Sequence, residues 1–477
     1  MKHVKVLILL FVMLMFVVSG ILLVSCKDKS MKGMIVFTQV PEYSQYKNYQ
    51  TGDSWRYVPQ ARIVALYPDK PTSFRLLTGD FYSARSPEIS YDGRFMIFAG
   101  QLKQNGLWQI WELEFESMEK RQVTYFQESC IDPAFLPGGR IVFSKSMAFD
   151  STGAGHALHT CNLDGTDVRR ITFHPNADFT PTVLSDGRIL TISSQIYPEK
   201  ECPMLMVLRT DGTKYDLYYK DETDELICTR PWESERGNIY FIRSNPVKGE
   251  TGSIFTIHRN RPLHTCIKLN NEINGSFNAV TPLKSGKLLV SYRSSDNNKY
   301  ALYEFDTGTG QLGKLIYEDP KYSSMEAVVV EAHQQPRNLP SEVDLQVKTG
   351  LLMCQDINIM DEQSMNAVHS QKKASQIEVL GLDASLGIMN VKEDGSFYLK
   401  AMADKPFRIR TLDKNGKVIS EPCTWIWLRP NERRGCIGCH EDHELVPENR
   451  MPLAVKKSPV IIPRHITLAG EKEIELE

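Results

Sequence analysis

Hydrophobic and polar positions along this chain form short runs that recur. Five times a glycine turn is followed by an apolar, β-branched or aromatic run. The five are Gly93 to Phe98, Gly139 to Phe143, Gly187 to Leu190, Gly237 to Phe241 and Gly286 to Val290. The five glycines are 46, 48, 50 and 49 residues apart. A proline precedes the glycine by six positions in the first four copies and by four in the last. Glycine supplies the positive φ of a tight hairpin turn, and a short, continuously apolar run reads as a buried strand. Further strands follow in each copy, such as Trp108–Leu113 and Arg121–Thr124 in the first. Four strands per period of about 40–50 residues predict a β-propeller.

The ends of the array set the blade count. Gly33-Met34-Ile35-Val36-Phe37 resembles the strand after the turn in an earlier copy that lacks its first strand. Ser324–Val330 is an orphan strand at the far end. Joining the two closes a ring of six blades from about 31 to 335 and removes exposed sheet edges. Gln335–Ser341 is a polar, proline-rich linker. Beyond it, strands at 350–354 and 376–380, hairpins at Asp394-Gly395 and Asn415-Gly416, and a final strand at Thr424–Leu428 predict a small β-sandwich over about 345–430. Residues 431–477 read as a proline-rich tail. The expected fold class is therefore all-β, with a propeller over 26–340 followed by a sandwich.

Composition narrows the function. The chain has 477 residues, is 42% hydrophobic and 24% charged, and has a formal net charge of −2. These values fit a folded protein, and no basic patch of the kind that binds nucleic acid stands out. Lys2 and Lys5 precede an apolar run from Val6 to Val24. Leu23-Val24-Ser25-Cys26 then resembles the lipobox of bacterial lipoproteins. Residues 1–25 are accordingly expected to be a signal peptide and Cys26 the lipidated residue, with a plain membrane anchor as the alternative. The expected location is the cell envelope, with the protein lipid-anchored on the extracytoplasmic side, periplasm or cell surface. Disulfides are permitted there, but the seven cysteines other than Cys26, Cys436 and Cys439 are irregularly spaced and define no framework.

The strongest chemical signal is Cys436-Ile437-Gly438-Cys439-His440. C-x-x-C-H is the attachment sequence of c-type haem. Its two thiols reach the haem vinyl groups, and the adjacent histidine becomes an axial iron ligand. A chain of this composition would contain the pattern by chance about 0.005 times. Haem c is thus expected on Cys436 and Cys439, with His440 as the axial metal ligand. His443, Met451 and His465 are candidates for the second axial position. Zinc on Cys436, Cys439 and His443, with His440 as a strained fourth ligand, is an alternative, as is a vestigial site. A thioredoxin-like site would need a βαβ setting, which is missing. The tail carries four prolines and cannot wrap helices around a haem, so apolar cover is expected from the sandwich or propeller. Trp425 and Trp427 could serve, or could be sandwich core. His156 and His159 in one predicted strand, with His174 nearby, are a weaker metal candidate.

These motifs together carry a family likeness. The Pro-x(5)-Gly repeats, Gln335-Pro336-Arg337, Asp394-Gly395-Ser396-Phe397 and the run from Arg429 to Glu441 resemble the hydrazine synthase alpha subunit and its wider group of relatives. The repeats alone are also similar to TolB-type propellers. The resemblance implies a six-bladed propeller, a β-rich haem-bearing module and haem at Cys436, Cys439 and His440. It also shows departures. The family carries two c-type haems, and this chain has one such motif. The family's active haem is associated with a downstream tyrosine, and residues 441–477 contain none. Hydrazine synthesis is therefore not expected. The expected function is a lipid-anchored, single-haem propeller that passes electrons to a redox partner protein or does redox chemistry on a small molecule. The alternative is a binding or scaffold module of the envelope with a structural metal or vestigial site.

Overall fold

The computed structural model describes residues 30–41, 57–147, 155–194, 204–220, 225–227, 229–245, 252–294, 299–359, 373–421, 424–438, 444, 448–463, 465–466 and 474–475. The signal-peptide region and Cys26 lie outside these residues. Among them, six antiparallel sheets form the blades of the propeller. The first blade runs Ser323–Val329, Ile35–Val40, Arg62–Tyr67, Lys70–Leu76. Ile35 pairs with Val329, Val36 with Val328 and Thr38 with Met325, so the two ends of the array share one sheet, as the orphan strand required. Blades two to four follow in chain order from Ser83–Ile89, Cys130–Leu136 and Asp178–Val183. Blade six starts at Ser276–Pro282. In blade five the innermost strand is split: Leu226–Ile227 and Trp232–Glu233 both pair with Asn238–Ser244.

The second strand of each blade is buried on both faces, which explains its uninterrupted apolar run. Core clusters join neighbouring blades. Leu190 and Leu205 of blade four, for example, pack with Ile239 and Phe241 of blade five. The innermost strands carry bulges that the sequence pattern did not announce. Ser86, Asp132, Thr180 and Glu326 have φ of 57°, 52°, 47° and 50°, each where the pairing register slips. A bulge turns a side chain out of the pleat. Here it brings polar groups to a cavity of about 60 Å³ on the propeller axis, lined by residues of all six blades.

The second module is a two-sheet sandwich. One sheet runs Arg433–Cys436, Thr349–Cys354, Phe397–Met402, Val460–Ile462. The other runs Ser385–Asn390, Gln376–Leu380, Arg408–Leu412, Val418–Ser420. Burial alternates along Thr349–Cys354, Gln376–Leu380 and Phe397–Met402, so each sheet has one core face. That core contains Leu352, Ile377, Val379, Phe397, Leu399 and Phe407.

Two features differ from the sequence reading. The sandwich does not stop near 430, because Arg433–Cys436 and Val460–Ile462 join it as parallel edge strands. Strands of four and three residues leave no readable period. Thr424–Leu428, expected as a strand, makes only one bridge, Ile426 to Phe407. The reason is Trp427. It leaves the sandwich and is fully buried in a propeller cluster with Leu136, Leu158, Ile189, Met206 and Tyr215.

The linker fixes the modules further. It crosses the turns of blades two to four, with His333 N donating to Tyr91 O at 3.0 Å and Arg337 N to Ser185 O at 3.3 Å. It passes so close that a methyl at Gly187 would collide with the Arg337 carbonyl.

Candidate functional site: the seam around the C-x-x-C-H motif

The motif begins on an edge strand of the sandwich. Arg433–Cys436 pairs in parallel with Thr349–Cys354, placing Cys436 beside Cys354. Gln355 N donates to Cys436 O and Asp356 N to Ile437 O, both at 2.9 Å, so the strand pairing continues into the motif. Cys436 is half-buried against the sandwich core. Gly438 follows where a methyl would collide with Ile359, which accounts for glycine at this position. Cys439, His440 and His443 lie outside the described residues.

The chain is held again beyond the motif, on the other module. Glu444 accepts Leu263 N at 2.6 Å and Arg261 Nε at 3.3 Å, and its side chain is only 9% exposed. Leu263 and Arg261 belong to the blade-five loop between strands Ser253–His258 and Ile267–Lys268. Gly438, against the sandwich, and Glu444, against the propeller, thus stand on either side of the seam between the two modules.

A buried carboxylate locks that seam upstream of the motif. The Glu432 side chain is 0% exposed. Its Oε1 accepts Lys214 N at 2.8 Å, Arg434 Nη2 at 2.8 Å and Arg434 Nε at 3.0 Å. Its Oε2 accepts Arg429 N at 2.7 Å. Lys214 lies in blade four, and Arg429 Nε donates to Asp211 O of the same blade-four turn at 2.9 Å. Trp427 adds ring contacts to Tyr215 at 4.2 Å and His174 at 5.4 Å. His174 Nε2 bonds Asp178 Oδ2 at 2.7 Å, and Tyr215 OH donates to Asp178 Oδ1 at 3.1 Å. Glu432 and Glu444 were missed as site residues because each sits in a polar run that reads as solvated surface.

The remaining candidates separate. Met451 is 70% exposed, next to Arg450, which is pinned to the sandwich by Asp394 Oδ2 at 2.9 Å and Gln355 O at 3.1 Å. His465 lies on a short strand paired with Ile474–Glu475. Trp425 is buried under the Arg408 guanidinium, 4.5 Å from its ring centroid. Trp427 is sunk in the propeller and is not part of the sandwich core.

The histidines of blade three do not gather. Three positions apart in one strand, they take opposite faces. His156 reaches Tyr57 OH at 2.7 Å and the Phe179 ring at 4.7 Å. His159 bonds Ala157 O at 3.1 Å, and burial pushes it down to about 4. Among the described residues no group of three His, Cys, Asp or Glu assembles. Burial pushes the thiols of Cys130 and Cys161 up to about 12, so they are inert core residues.

A second cavity, of about 260 Å³, opens on the propeller face that carries the linker, between Trp232, Lys284, Glu331 and His333. Glu88 lies at its edge, bonded to Arg230 Nη1 at 2.5 Å. Burial pushes Glu88 up to about 7 against the opposing pull of Arg230.

Known proteins match this arrangement. The hydrazine synthase alpha subunit middle domain matches residues 351–441, which cover most of the sandwich and the motif. Hydrazine synthase subunit alpha of Kuenenia stuttgartiensis is 23% identical over 536 aligned residues, covering 85% of this chain. The chain spans 65% of the length of that relative. The solved hydrazine synthase of Kuenenia stuttgartiensis superposes with a TM-score of 0.76 at 19% identity, over 90% of this chain and 72% of that one. TolB from Acinetobacter baumannii gives a TM-score of 0.45 at 13% identity, over 62% of this chain and 66% of that one. Residues 351–441 thus carry the hydrazine synthase alpha subunit middle domain, and the chain as a whole is similar to hydrazine synthase alpha in sequence and in fold.

Proposed function

We propose that this chain is an exported, lipid-anchored redox protein with one c-type haem, joined through Cys436 and Cys439 and ligated by His440. The observation that carries this reading is the bracketing of the motif, with its start hydrogen-bonded to the sandwich edge and Glu444 held by blade five. Such a seam offers a haem a wall on either side. The donor set suits the group: two thiols and an imidazole in the attachment order. A haem held there supplies a one-electron couple. The chain's part would be to hold the attachment strand in place through Glu432 and the sandwich edge. The substrate chemistry of the relative is not carried over, because the chain spans 65% of that relative's length at 23% identity.

Two experiments test the reading. A pyridine haemochrome spectrum of protein made with a working haem-attachment system should show one covalent haem per chain. No covalent band would leave the binding or scaffold function with a zinc or vestigial site. Cys26→Ser should leave an unprocessed precursor that takes up no labelled fatty acid. Unchanged processing and labelling would remove the anchor.

A further inference from the structure

A thiol that the proposed function does not use stands beside the first residue of the motif. Cys354 ends the strand Thr349–Cys354, and its in-register neighbour on the parallel edge strand is Cys436. Its neighbour on the other side is Phe397, so of its two cross-strand partners Cys436 carries the sulfur. Partners in register point their side chains to the same face of a sheet. Here that face is the sandwich core. Cys354 is 2% exposed within it, and Cys436 packs against it, half-buried. The register is held on both sides of the pair. Leu352 lies opposite Arg434 before it, and Gln355 N donates to Cys436 O at 2.9 Å after it. Both cysteines are present as thiols. The other described cysteines, Cys130, Cys161 and Cys266, pack in the propeller.

We propose that Cys354 and Cys436 form a reversible disulfide, which withholds Cys436 from haem attachment until it is reduced. The bond stands on the strand pairing; its consequence for haem rests on the function proposed above. Neighbouring strands lie about 4.8 Å apart, inside the range of about 4.4–6.8 Å over which disulfides bridge Cα atoms. Cys436 is the last residue of its edge strand, so it can turn toward its partner without disturbing a further strand. An exported chain meets the oxidant, the disulfide of an envelope thiol–disulfide oxidoreductase. The more exposed thiolate, Cys436, attacks that disulfide and forms a mixed disulfide. The Cys354 thiolate then attacks Cys436 Sγ, and the oxidoreductase leaves as a dithiol. The two cysteines lose two electrons and two protons, and both pass to the oxidoreductase. A thioether forms by addition of a thiol across a haem vinyl group, and a sulfur held in a disulfide has no thiol to add. A thiol reductant must therefore open the pair first, after which Cys354 is left as a thiol beside the attached Cys436.

The test uses the full chain, exported in cells without a haem-attachment system, quenched in acid and labelled with maleimide after denaturation. Peptide mass spectrometry without reductant should find Cys354 joined to Cys436 in most chains. Dithiothreitol should convert the pair to two labelled thiols. Oxidised glutathione added to the folded, reduced chain should restore the bond. Cys354→Ala should abolish this cross-link. The chain matured with haem should carry maleimide on Cys354 in proportion to the covalent haem found in the haemochrome assay. A bond from Cys436 to Cys439 instead would overturn the proposal, as would maleimide on both Cys354 and Cys436 in the unreduced sample. A cross-link that does not re-form in the folded chain would overturn its reversibility. A chain that forms the cross-link yet takes up no covalent haem in cells with a working haem-attachment system would overturn the haem reading and leave the disulfide standing, so the two failures are told apart.

Discussion

Glu432 shows how much one side chain can decide. Its buried carboxylate is satisfied by four donors from both modules, and it stands four residues ahead of Cys436. Removing one partner of such a network leaves buried groups without their bonds, at about 3 kcal/mol. Glu432→Ala should lower unfolding stability by that amount in urea titrations, and Glu432→Gln by less, because the amide oxygen still accepts. Two buried titrating groups give a second expectation. Glu88, pushed up to about 7, holds its proton more tightly folded than unfolded, so its contribution to stability declines as pH rises from about 4.5 to 7. His159, pushed down to about 4, is held neutral, so its contribution is lost as pH falls from about 6.5 to 4. The two slopes oppose one another and partly cancel in the wild type. Glu88→Gln should expose the acid-side loss and His159→Asn the opposite tilt, each at most about 3 kcal/mol across its window. A pH series of denaturation midpoints checks both. At this scale the motif cysteines were legible because their spacing is chemical. The carboxylates that hold them were not, because burial of a charge is decided by residues two hundred positions away.

Elements were more legible than residues. A glycine turn followed by an apolar run marks a hairpin locally, so five repeats and the closing strand could be placed from pattern alone. Local pattern fails where pairing is supplied from afar. The edge strands Arg433–Cys436 and Val460–Ile462 have no period of their own and exist because the sandwich offers them an edge. The axial bulges are invisible for a related reason: Ser86, Asp132, Thr180 and Glu326 are ordinary strand neighbours until the ring closes and Glu326 meets Arg85 across blades. The turn glycines allow a controlled test of the linker. Gly187 and Gly286 have φ of 91° and 85°, so alanine is strained at either, by about 1 kcal/mol. Around Gly286 there is open space, whereas at Gly187 the added methyl would strike the Arg337 carbonyl. Gly187→Ala should therefore cost clearly more than Gly286→Ala in thermal unfolding. It should also speed proteolysis between 335 and 341. Equal costs would mean that the linker does not press on the turn.

At the scale of the whole molecule, propeller and sandwich are joined by more than a tether. Trp427 is anchored in chain between Ile426, which bridges to Phe407, and Leu428, which is buried in the sandwich core. Its own ring is sunk into the third and fourth blades. Around it, Arg429 lies over the Phe173 ring at 4.7 Å and Glu432 bonds Lys214 N, so aromatic, cationic and hydrogen-bonded contacts cross the same seam. A seam of this kind makes the unfolding of one module depend on the other. Trp427→Ala removes the largest side chain from it and leaves a cavity, at about 3–5 kcal/mol. Because the cavity opens at the boundary rather than inside one core, the loss should fall on coupling more than on either module. Calorimetry should then resolve two transitions where the wild type gives one. A Trp427→Ala protein that still unfolds in one step would show that the other seam contacts, made by Glu432, Arg429, Glu444 and the linker, couple the modules without it.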